Sequence, residues 1–243
     1  MPTELPQAAT LTSVSKLYGS FAALRNITLS LRAGECIMVL GENGAGKSTL
    51  LRMLAGLIRP TMGKVVVLGE SPDDSRSRIG YMSHASMLYD ELTALENLRY
   101  FESLYFPGAC SRCSGGGNAA SVLTAVGLDP NLARPVGDYS QGMRQRASMA
   151  RAMLTDPELL LLDEPFSNLD IAGAAQMVSL LADFRTWPLR SAAQQTALRT
   201  IVLTTHQPQL AESLADTILT MRAGQILSVE SKTPRDSAAE TLA

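Results

Sequence analysis

Hydrophobic and polar residues alternate in some segments of the chain and recur at helical spacing in others. Ile27, Leu29 and Leu31 alternate with polar neighbours, which predicts a half-buried strand. Cys36–Leu40 is a continuous apolar run that leads into glycine, and the stretch 47–57 after the glycines is compatible with a helix. We therefore predict the order strand, glycine loop, helix in this part of the chain.

Further apolar segments predict the other strands of a sheet and the helices between them. The predicted strands are 65–68, 79–82, 159–162 and 201–203. The predicted helices are 93–104, about 119–126, and 141–154. Strands separated by helices are typical of parallel βαβ connections, so the pattern predicts an α/β fold.

Polar stretches interrupt this pattern. Residues 107–118 contain Gly115-Gly116-Gly117 and are predicted to be a loop. The polar stretch from 185 to 200 carries the only tryptophan, Trp187, and is predicted to be a surface insertion. The polar end 231–243 is predicted to be a frayed, disordered tail.

Composition narrows the class of protein. The 243 residues are 46% hydrophobic and 18% charged, which is ordinary for a soluble globular chain and excludes collagen, coiled coil and wholesale disorder. A net charge of -2 gives no strong basic footprint for nucleic acid. The chain has no run of 18 apolar residues and begins with no secretory signal pattern, so we do not expect it to span a membrane alone.

The cysteines number three, namely Cys36, Cys110 and Cys113. The Cys110-x-x-Cys113 pair could bind a metal or cycle between redox states, but a zinc site needs a second pair of ligands. His84 and His206 are distant in sequence from these cysteines and belong to other segments, so they do not supply that second pair. We therefore favour two surface thiols in a loop, and the reducing cytoplasm as the compartment.

The segment 41–49 fits the phosphate-binding pattern G-x-x-x-x-G-K-[ST] in full. Its glycines let backbone N–H groups turn toward phosphate oxygens, and the following helix N-terminus adds a positive dipole. Lys47 is expected to reach the β- and γ-phosphates, and the Ser48 hydroxyl to ligate Mg²⁺. A plain glycine turn is the alternative, and the strand before the loop and the helix after it argue against that interpretation. The predicted ATP-binding residues of this loop are Gly41, Glu42, Asn43, Gly44, Ala45, Gly46, Lys47, Ser48 and Thr49.

Two adjacent carboxylates follow the apolar run 159–162. At the end of a buried strand they are costly without a cation. Asp163 is expected to orient the Mg²⁺ shell, and Glu164, pointing the other way, to polarise the attacking water. Considered alone, an Asp-Glu pair after a strand is equally consistent with charged residues on the solvated surface. Together with the phosphate loop it predicts a site of nucleotide hydrolysis.

Five ordered motifs resemble the ATP-binding subunit of ABC transporters over about residues 11–230. After the phosphate loop they are the signature at 139–146 with 150–152, Asp163-Glu164-Pro165, the D-loop at 167–170, and Thr204-Thr205-His206. The resemblance implies an α/β P-loop core of the ABC ATPase type, with an antiparallel β subdomain and an inserted α-helical subdomain over about 84–155. It also implies one ATP-binding domain over residues 1–230.

The same resemblance implies an ATPase that uses ATP and Mg²⁺ and works as a head-to-tail homodimer. Ser140 and the Gly142 N–H, at a helix N-terminus, would contact the γ-phosphate held by the partner subunit. His206 would sense the γ-phosphate in its own subunit and act in catalysis with Glu164 and Lys47. Outside such motifs, a lone histidine after a strand is usually structural.

One aromatic side chain is also implied at the nucleotide. Tyr18, which precedes a glycine, matches the residue that stacks on adenine in the family. A half-buried structural tyrosine is the alternative for this position.

Three positions depart from the family pattern. Gln141 stands where glycine is usual, and Met143 stands where glutamine is usual. His84 falls at the glutamine that normally touches Mg²⁺ and the transmembrane partner. Because a histidine coordinates a cation only when neutral, we expect altered coupling there and leave direct metal contact open.

The region 88–98, with His84 and 204–207, resembles the ATPase subunit of the haem exporter used in cytochrome c maturation. This implies a peripheral subunit on the cytoplasmic face of the plasma (inner) membrane, docked on integral membrane permease subunits through the face at 84–90. No nucleic acid partner is expected.

Three other functions stay open at this point. The chain could serve a drug, lipid or other exporter of the ABC type, because the membrane subunit chooses the cargo. A soluble ABC protein acting on nucleic acid or ribosomes fits less well, since the chain has one cassette, no heptads and no basic arm. The third possibility is a regulatory nucleotide binder disabled by its altered signature.

Overall fold

The computed structural model describes residues 6–105, 118–187 and 198–232. The strands are β1 (Gln7–Tyr18), β2 (Phe21–Arg32), β3 (Cys36–Leu40), β4 (Met62–Val67), β5 (Ile79–Met82), β6 (Leu159–Asp163), β7 (Thr200–Thr204), β8 (Thr217–Arg222) and β9 (Gln225–Ser231). The helices are α1 (Lys47–Leu54), α2 (Ala94–Tyr105), α3 (Asn118–Ala125), α4 (Gln141–Met153), α5 (Ile171–Thr186) and α6 (Pro208–Ala211).

The larger sheet has the strand order β5-β6-β7-β3-β8-β9. Its first five strands run parallel, and β9 pairs antiparallel with β8. The predicted α/β fold with parallel connections is therefore confirmed. Because the carboxyl ends of parallel strands meet at one edge, the loops after β3, β6 and β7 converge there.

The smaller sheet is antiparallel and has the order β2-β1-β4. Strands β1 and β2 form a hairpin in which Tyr18 pairs with Phe21. Gly19 turns this hairpin at a φ of +59°, a conformation that glycine adopts without steric cost. The antiparallel β portion expected near the N-terminus is thus confirmed.

Two apolar cores lie on opposite faces of the larger sheet. In β3, Cys36 and Met38 belong to the core under α2–α5, and Ile37 and Val39 belong to the core under α1 and the small sheet. Strand β6 divides its leucines between the two cores in the same way. Burial on both faces explains why these strands are continuous apolar runs rather than alternating ones.

Side chains at their N-termini fix two of the helices. Thr93 and Glu96 cap α2 reciprocally: the Thr93 N–H donates to Glu96 Oε2 at 2.8 Å, and the Glu96 N–H donates to Thr93 Oγ1 at 3.2 Å. These bonds to the carboxylate hold the pKa of Glu96 below its ordinary value. Ser140 caps α4 by accepting from the Met143 N–H at 3.3 Å.

Several predicted boundaries shift in the structure. Helix α1 ends at Leu54 rather than 57, because Gly56 adopts a φ of +68°. Strand β4 lies at Met62–Val67 rather than 65–68, because Leu68 has a φ of +50° and leaves the strand. The helices predicted near 93–104, 119–126 and 141–154 are confirmed to within one residue at either end.

The prediction of a surface insertion over 185–200 is wrong at both of its described ends. Arg185 belongs to α5, and the half-buried Trp187 ring packs edge-to-face on Phe184 at 6.0 Å. The buried guanidinium of Arg199 lies over the same Phe184 ring at 4.6 Å. Packing against Phe184, and not the polar composition of the stretch, therefore decides where these residues lie.

The other polar segments were predicted to be a loop and a frayed tail. Ser231 is the last residue of β9 and not the start of a tail. Outside the described residues lie Cys110 and Cys113, the predicted loop at 107–117 with its glycine run, residues 188–197 of the predicted surface insertion, and residues 233–243. In the parts of the chain that the structure describes, no helix is long and apolar enough to cross a membrane.

Candidate functional site

A cleft of about 520 Å³ opens at the carboxyl edge of the larger sheet. Its lining consists of Phe21, Ala23, residues 43–49, His84, Asp163, Glu164, Ser167 and His206. The cleft therefore brings together three groups of predicted site residues. They come from the phosphate loop, the end of β6 and the end of β7. His84 joins them from the loop after β5.

The phosphate loop connects β3 to α1 through a backbone that two of its glycines make possible. Gly46 has a φ of +102°, and a Cβ there would come within 2.6 Å of the Ala23 carbonyl oxygen. Gly41 has a φ of +149°, and a Cβ there would meet the Met221 carbonyl oxygen at 2.3 Å. No other residue fits either position. The loop then enters α1, whose first N–H groups have no partner within the helix and attract anions.

Lys47 is the first residue of α1 and is 93% buried, with a relative exposure of 7%. Its Nζ donates to the carbonyl oxygens of Gly41 at 2.6 Å and Glu42 at 3.2 Å. Both partners are neutral, and no ion pair is formed by Lys47 within the described residues. An uncompensated buried ammonium favours an anionic ligand in the cleft.

Asp163, at the end of β6, is the centre of a hydrogen-bond cluster and is only 3% exposed. Its Oδ1 accepts from Ser48 Oγ at 3.0 Å and from Thr204 Oγ1 at 2.9 Å. Thr204 Oγ1 in turn accepts from the Glu164 N–H at 3.0 Å. Thr204 was not predicted as a site residue, although it stands in the Thr-Thr-His motif.

Glu164 and His206 face each other across the cleft. The Glu164 Oε2 accepts from the His206 backbone N–H at 3.1 Å, and Glu164 Oε1 lies 3.1 Å from His206 Nε2. The Glu164 backbone has a φ of +57°, in the left-handed region that is rare for a residue other than glycine. This carboxylate can accept a proton from a water molecule in the cleft.

The segment that carries His84 is held by helix α4. Arg151 Nη2 donates to the Tyr81 carbonyl oxygen at 3.1 Å, and Ser148 Oγ donates to the Ser86 carbonyl oxygen at 3.2 Å. Arg151 is buried, and its desolvation lowers the pKa of its guanidinium. His84 itself is exposed and lines the cleft. Its position thus depends on α4 as well as on β5.

Ser140 and Gly142 do not line this cleft. They line a second groove of about 360 Å³, together with Asn168, Asp170 and Gly173 among others. The predicted signature and the D-loop residues 168–170 are therefore neighbours, whereas Ser167 at the start of the D-loop lines the cleft of the phosphate loop.

Tyr18, Gly41 and Glu42 are predicted site residues outside the cleft lining. Tyr18 is half exposed in the β1–β2 hairpin, and Lys16 Nζ lies 5.3 Å from the centre of its ring. Its hairpin partner Phe21 lines the cleft instead. The stacking role of Tyr18 stays a prediction, and Phe21 is an aromatic neighbour that was not predicted from the sequence.

The loop after His84 is fixed to the segment that precedes the signature. The Gly137 N–H donates to the Asp90 carbonyl oxygen at 2.9 Å, and the Val136 N–H donates to that of Leu92 at 2.8 Å. Arg144 Nη1 pairs with Asp90 Oδ1 at 2.5 Å. A displacement of the loop at 84–90, the predicted docking face, would therefore also move the start of α4.

Several known proteins are similar to this chain. The family model described as ABC transporter matches residues 24–167. The ABC transporter ATP-binding protein NatA of Bacillus subtilis is 33% identical over 210 residues, which cover 84% of this chain and 80% of that protein. A fluoroquinolones export ATP-binding protein of Mycobacterium tuberculosis is 36% identical over 215 residues, which cover 87% of this chain and 66% of that protein.

Solved structures of one ABC transporter cassette, the bacterial protein MJ0796, share the fold. Its dimeric structure has a TM-score of 0.80 and 26% identity, and covers 93% of this chain and 100% of that one. Its post-hydrolysis dimer with ADP and Pi has a TM-score of 0.78 and 27% identity, with the same coverage.

Proposed function

The chain belongs to the ABC transporter family as an ATP-binding subunit that hydrolyses ATP, and from this premise we propose that two copies pair head to tail and power export through separate membrane subunits. The observation that carries the ATP-hydrolysing site of this proposal is the 3.0 Å contact between Ser48 and Asp163 beside the buried Lys47. It brings the phosphate loop and the carboxylate at the end of β6 into one cleft.

In this proposal the phosphates of ATP lie on the loop 41–49. The loop amides and the N-terminus of α1 surround the phosphate oxygens, and Lys47 exchanges its carbonyl partners for the β- and γ-phosphates. The buried position of Lys47 supports this role, because an ammonium removed from water interacts strongly with an anion. Tyr18 stacks on the adenine from the hairpin beside the loop.

The residues around Ser48 and Asp163 fit a magnesium ion. Both offer hard oxygen ligands, and they lie within 3.0 Å of each other at the cleft. Mg²⁺ is usually held by one or two protein oxygens together with substrate phosphates and water. When bound, it would neutralise charge on the phosphates. Whether His84 reaches the same ion stays part of the proposal to be tested.

Glu164 is the proposed general base. Its carboxylate faces the cleft and accepts from the His206 N–H, which fixes the direction of one oxygen. His206, at the end of β7, is proposed to contact the γ-phosphate. A water molecule between Glu164 and the phosphate would be activated by proton transfer to the carboxylate.

The separation of Ser140 and Gly142 from the cleft supports head-to-tail pairing. Within one chain they line a groove of their own, so a second copy is needed to bring a signature to a phosphate loop. The solved cassette MJ0796 is described as a dimer, with ADP and Pi in one state. For this chain, the pairing and the contact of Ser140 with the γ-phosphate are proposals.

Docking on a membrane subunit is proposed for the face at 84–90, with the ATPase subunit peripheral on the cytoplasmic side. Exposed Met87 and Tyr89 give this face an apolar character. The export direction draws on the relative from Mycobacterium, which is named as a fluoroquinolones export protein. Haem export rests only on the resemblance at 88–98 and 204–207, and it stays a narrower prediction.

Affinity purification of the tagged chain from detergent-solubilised membranes tests this assignment, with mass spectrometry of the bound proteins. We expect a stoichiometric integral membrane subunit. A permease of the haem-exporter type would support the narrower prediction, and any other permease would contradict it. Recovery of ribosomes or nucleic acid without a membrane protein would contradict the transporter proposal.

A further inference from the structure

Helix α4 makes a side-chain contact with the backbone at Glu164 that the roles above do not use. Gln145 Nε2 donates to the Pro165 carbonyl oxygen at 2.9 Å and lies 3.4 Å from the Glu164 carbonyl oxygen, to which it also donates. The Gln145 side chain is part-buried, so water competes only weakly for this amide.

The Glu164 backbone needs to be held. Its φ of +57° is unfavourable for a residue with a side chain, and Pro165 restricts it further, because a residue before proline favours extended conformations. Thr204 fixes the peptide on the N–H side, and Gln145 fixes it on the carbonyl side. Without one of these contacts, the main chain can relax and carry the carboxylate away from the cleft.

We propose that Gln145 is a positioning residue for ATP hydrolysis, holding the Glu164 backbone so that its carboxylate faces the cleft. The inference rests on the proposed function, because it assumes that Glu164 is the general base. The inference also connects the signature physically to Glu164, since Gln145 lies in the second turn of the helix that Ser140 begins. A movement at the signature therefore reaches Glu164 of the same chain through this side chain.

The variant Gln145→Met tests the inference, because methionine keeps the length of the side chain and removes the amide donor. We expect kcat to fall between about 10- and 100-fold, as for a small misplacement of a catalytic group, while KM changes by less than about threefold. Gln7→Met makes the same chemical change at an exposed position on β1, and it should leave both constants unchanged. A second variant, Gln145→Glu, removes the donor and keeps a polar side chain, and it should lose kcat in the same way.

The double variant Gln145→Met/Glu164→Gln separates positioning from general damage to the fold. If Gln145 acts through the Glu164 carboxylate, its substitution should cause no further loss once that carboxylate is gone. A loss of equal size in the Glu164→Gln background would overturn the inference, as would an unchanged kcat in folded Gln145→Met. If the wild-type subunit hydrolyses no ATP, the catalytic assignment of the cleft is refuted instead. The inference about Gln145 then fails because the proposed function fails.

Discussion

The Thr204 hydroxyl donates a 2.9 Å hydrogen bond to the Asp163 carboxylate, across two neighbouring strands of the central sheet. The same hydroxyl oxygen accepts from the Glu164 N–H. One small side chain thus fixes both the proposed metal ligand and the residue that follows it. A hydroxyl suits this position because it donates and accepts at once.

Thr204→Val should reduce both stability and turnover. Valine has nearly the same shape, so the change leaves the buried Glu164 N–H and Asp163 Oδ1 each without one partner. We expect a loss of about 1–3 kcal/mol in the free energy of unfolding, measured by urea denaturation. ATPase activity should fall as well. Thr220→Val on β8 is the matched control, and an equal effect in both variants would mean that the contacts of Thr204 are unimportant.

Lys47→Ala should weaken ATP binding at least about tenfold, since hydrogen bonds to charged groups contribute roughly 1.5–3 kcal/mol. The measurement is titration with a fluorescent ATP analogue in the presence of Mg²⁺. Lys64→Ala removes an exposed lysine on β4 and should bind as the wild type does. Unchanged affinity in Lys47→Ala would show that the phosphates lie elsewhere.

Glu164→Gln should keep ATP affinity and lose turnover. Amide replacement removes the proton acceptor but preserves size, so we expect kcat to fall about 10²- to 10⁴-fold. Phosphate release under steady-state conditions measures this loss. In the control variant Glu70→Gln, an exposed glutamate of a turn is changed, and turnover should stay normal. Full activity of Glu164→Gln would rule out a general base at this position.

The loop before α2 depends on one buried amide. Asn97 is completely buried; its Oδ1 accepts from the Tyr89 N–H, and its Nδ2 donates to the carbonyl oxygens of Tyr89, Leu92 and Thr93. Asn97→Ala should cost about 2–4 kcal/mol in the free energy of unfolding, because the Tyr89 N–H loses its acceptor and three backbone carbonyl oxygens each lose one donor.

Asp90→Ala, in the same loop, is the comparison for Asn97→Ala. Asp90 pairs with Arg144 but is 58% exposed, so its loss should cost less than about 1 kcal/mol. Urea denaturation of both variants gives the comparison. If Asp90→Ala proved the more damaging variant, the ion pair and not the amide would be fixing the loop.

Cys36 should make stability fall at alkaline pH. Burial raises the pKa of its thiol from 9.0 to about 12. The unfolded chain therefore releases this proton above pH 9 while the folded chain keeps it, which lowers the free energy of unfolding as the pH rises. Between pH 8.5 and 10.5 the wild type should lose about 2 kcal/mol more than Cys36→Ala in urea denaturation. Parallel losses in the two proteins would contradict burial of the thiol.

The chemistry of the cleft was predictable because its residues stand in contiguous motifs. The glycine and lysine positions of the phosphate loop and the two carboxylates after β6 are local signals, and the structure brings them together. Thr204 and Gln145 were missed because their partners are distant in sequence. Only the register between β6 and β7, and the packing of α4 on the loop after β6, show what they contact.

The fold was predictable where burial follows the sequence pattern. The apolar runs at β3, β6 and β7 were found because these strands are buried on both faces. Helix α5 was not predicted, although its buried residues recur at helical spacing. The packing of Trp187 was missed because the stretch 185–200 is polar in composition. Tertiary packing on Phe184 decided that region, and local composition carries no signal for it.

The mass of Glu164→Gln in solution with ATP and Mg²⁺ tests the central claim most directly. If two subunits close head to tail around ATP, light scattering should give twice the 26.0 kDa mass of the chain with ATP, and the single-chain mass with ADP. Ser140→Arg in the same background places a bulky charge at the signature and should prevent the dimer. A single-chain mass with ATP at saturation, or a dimer that survives Ser140→Arg unchanged, would contradict the account.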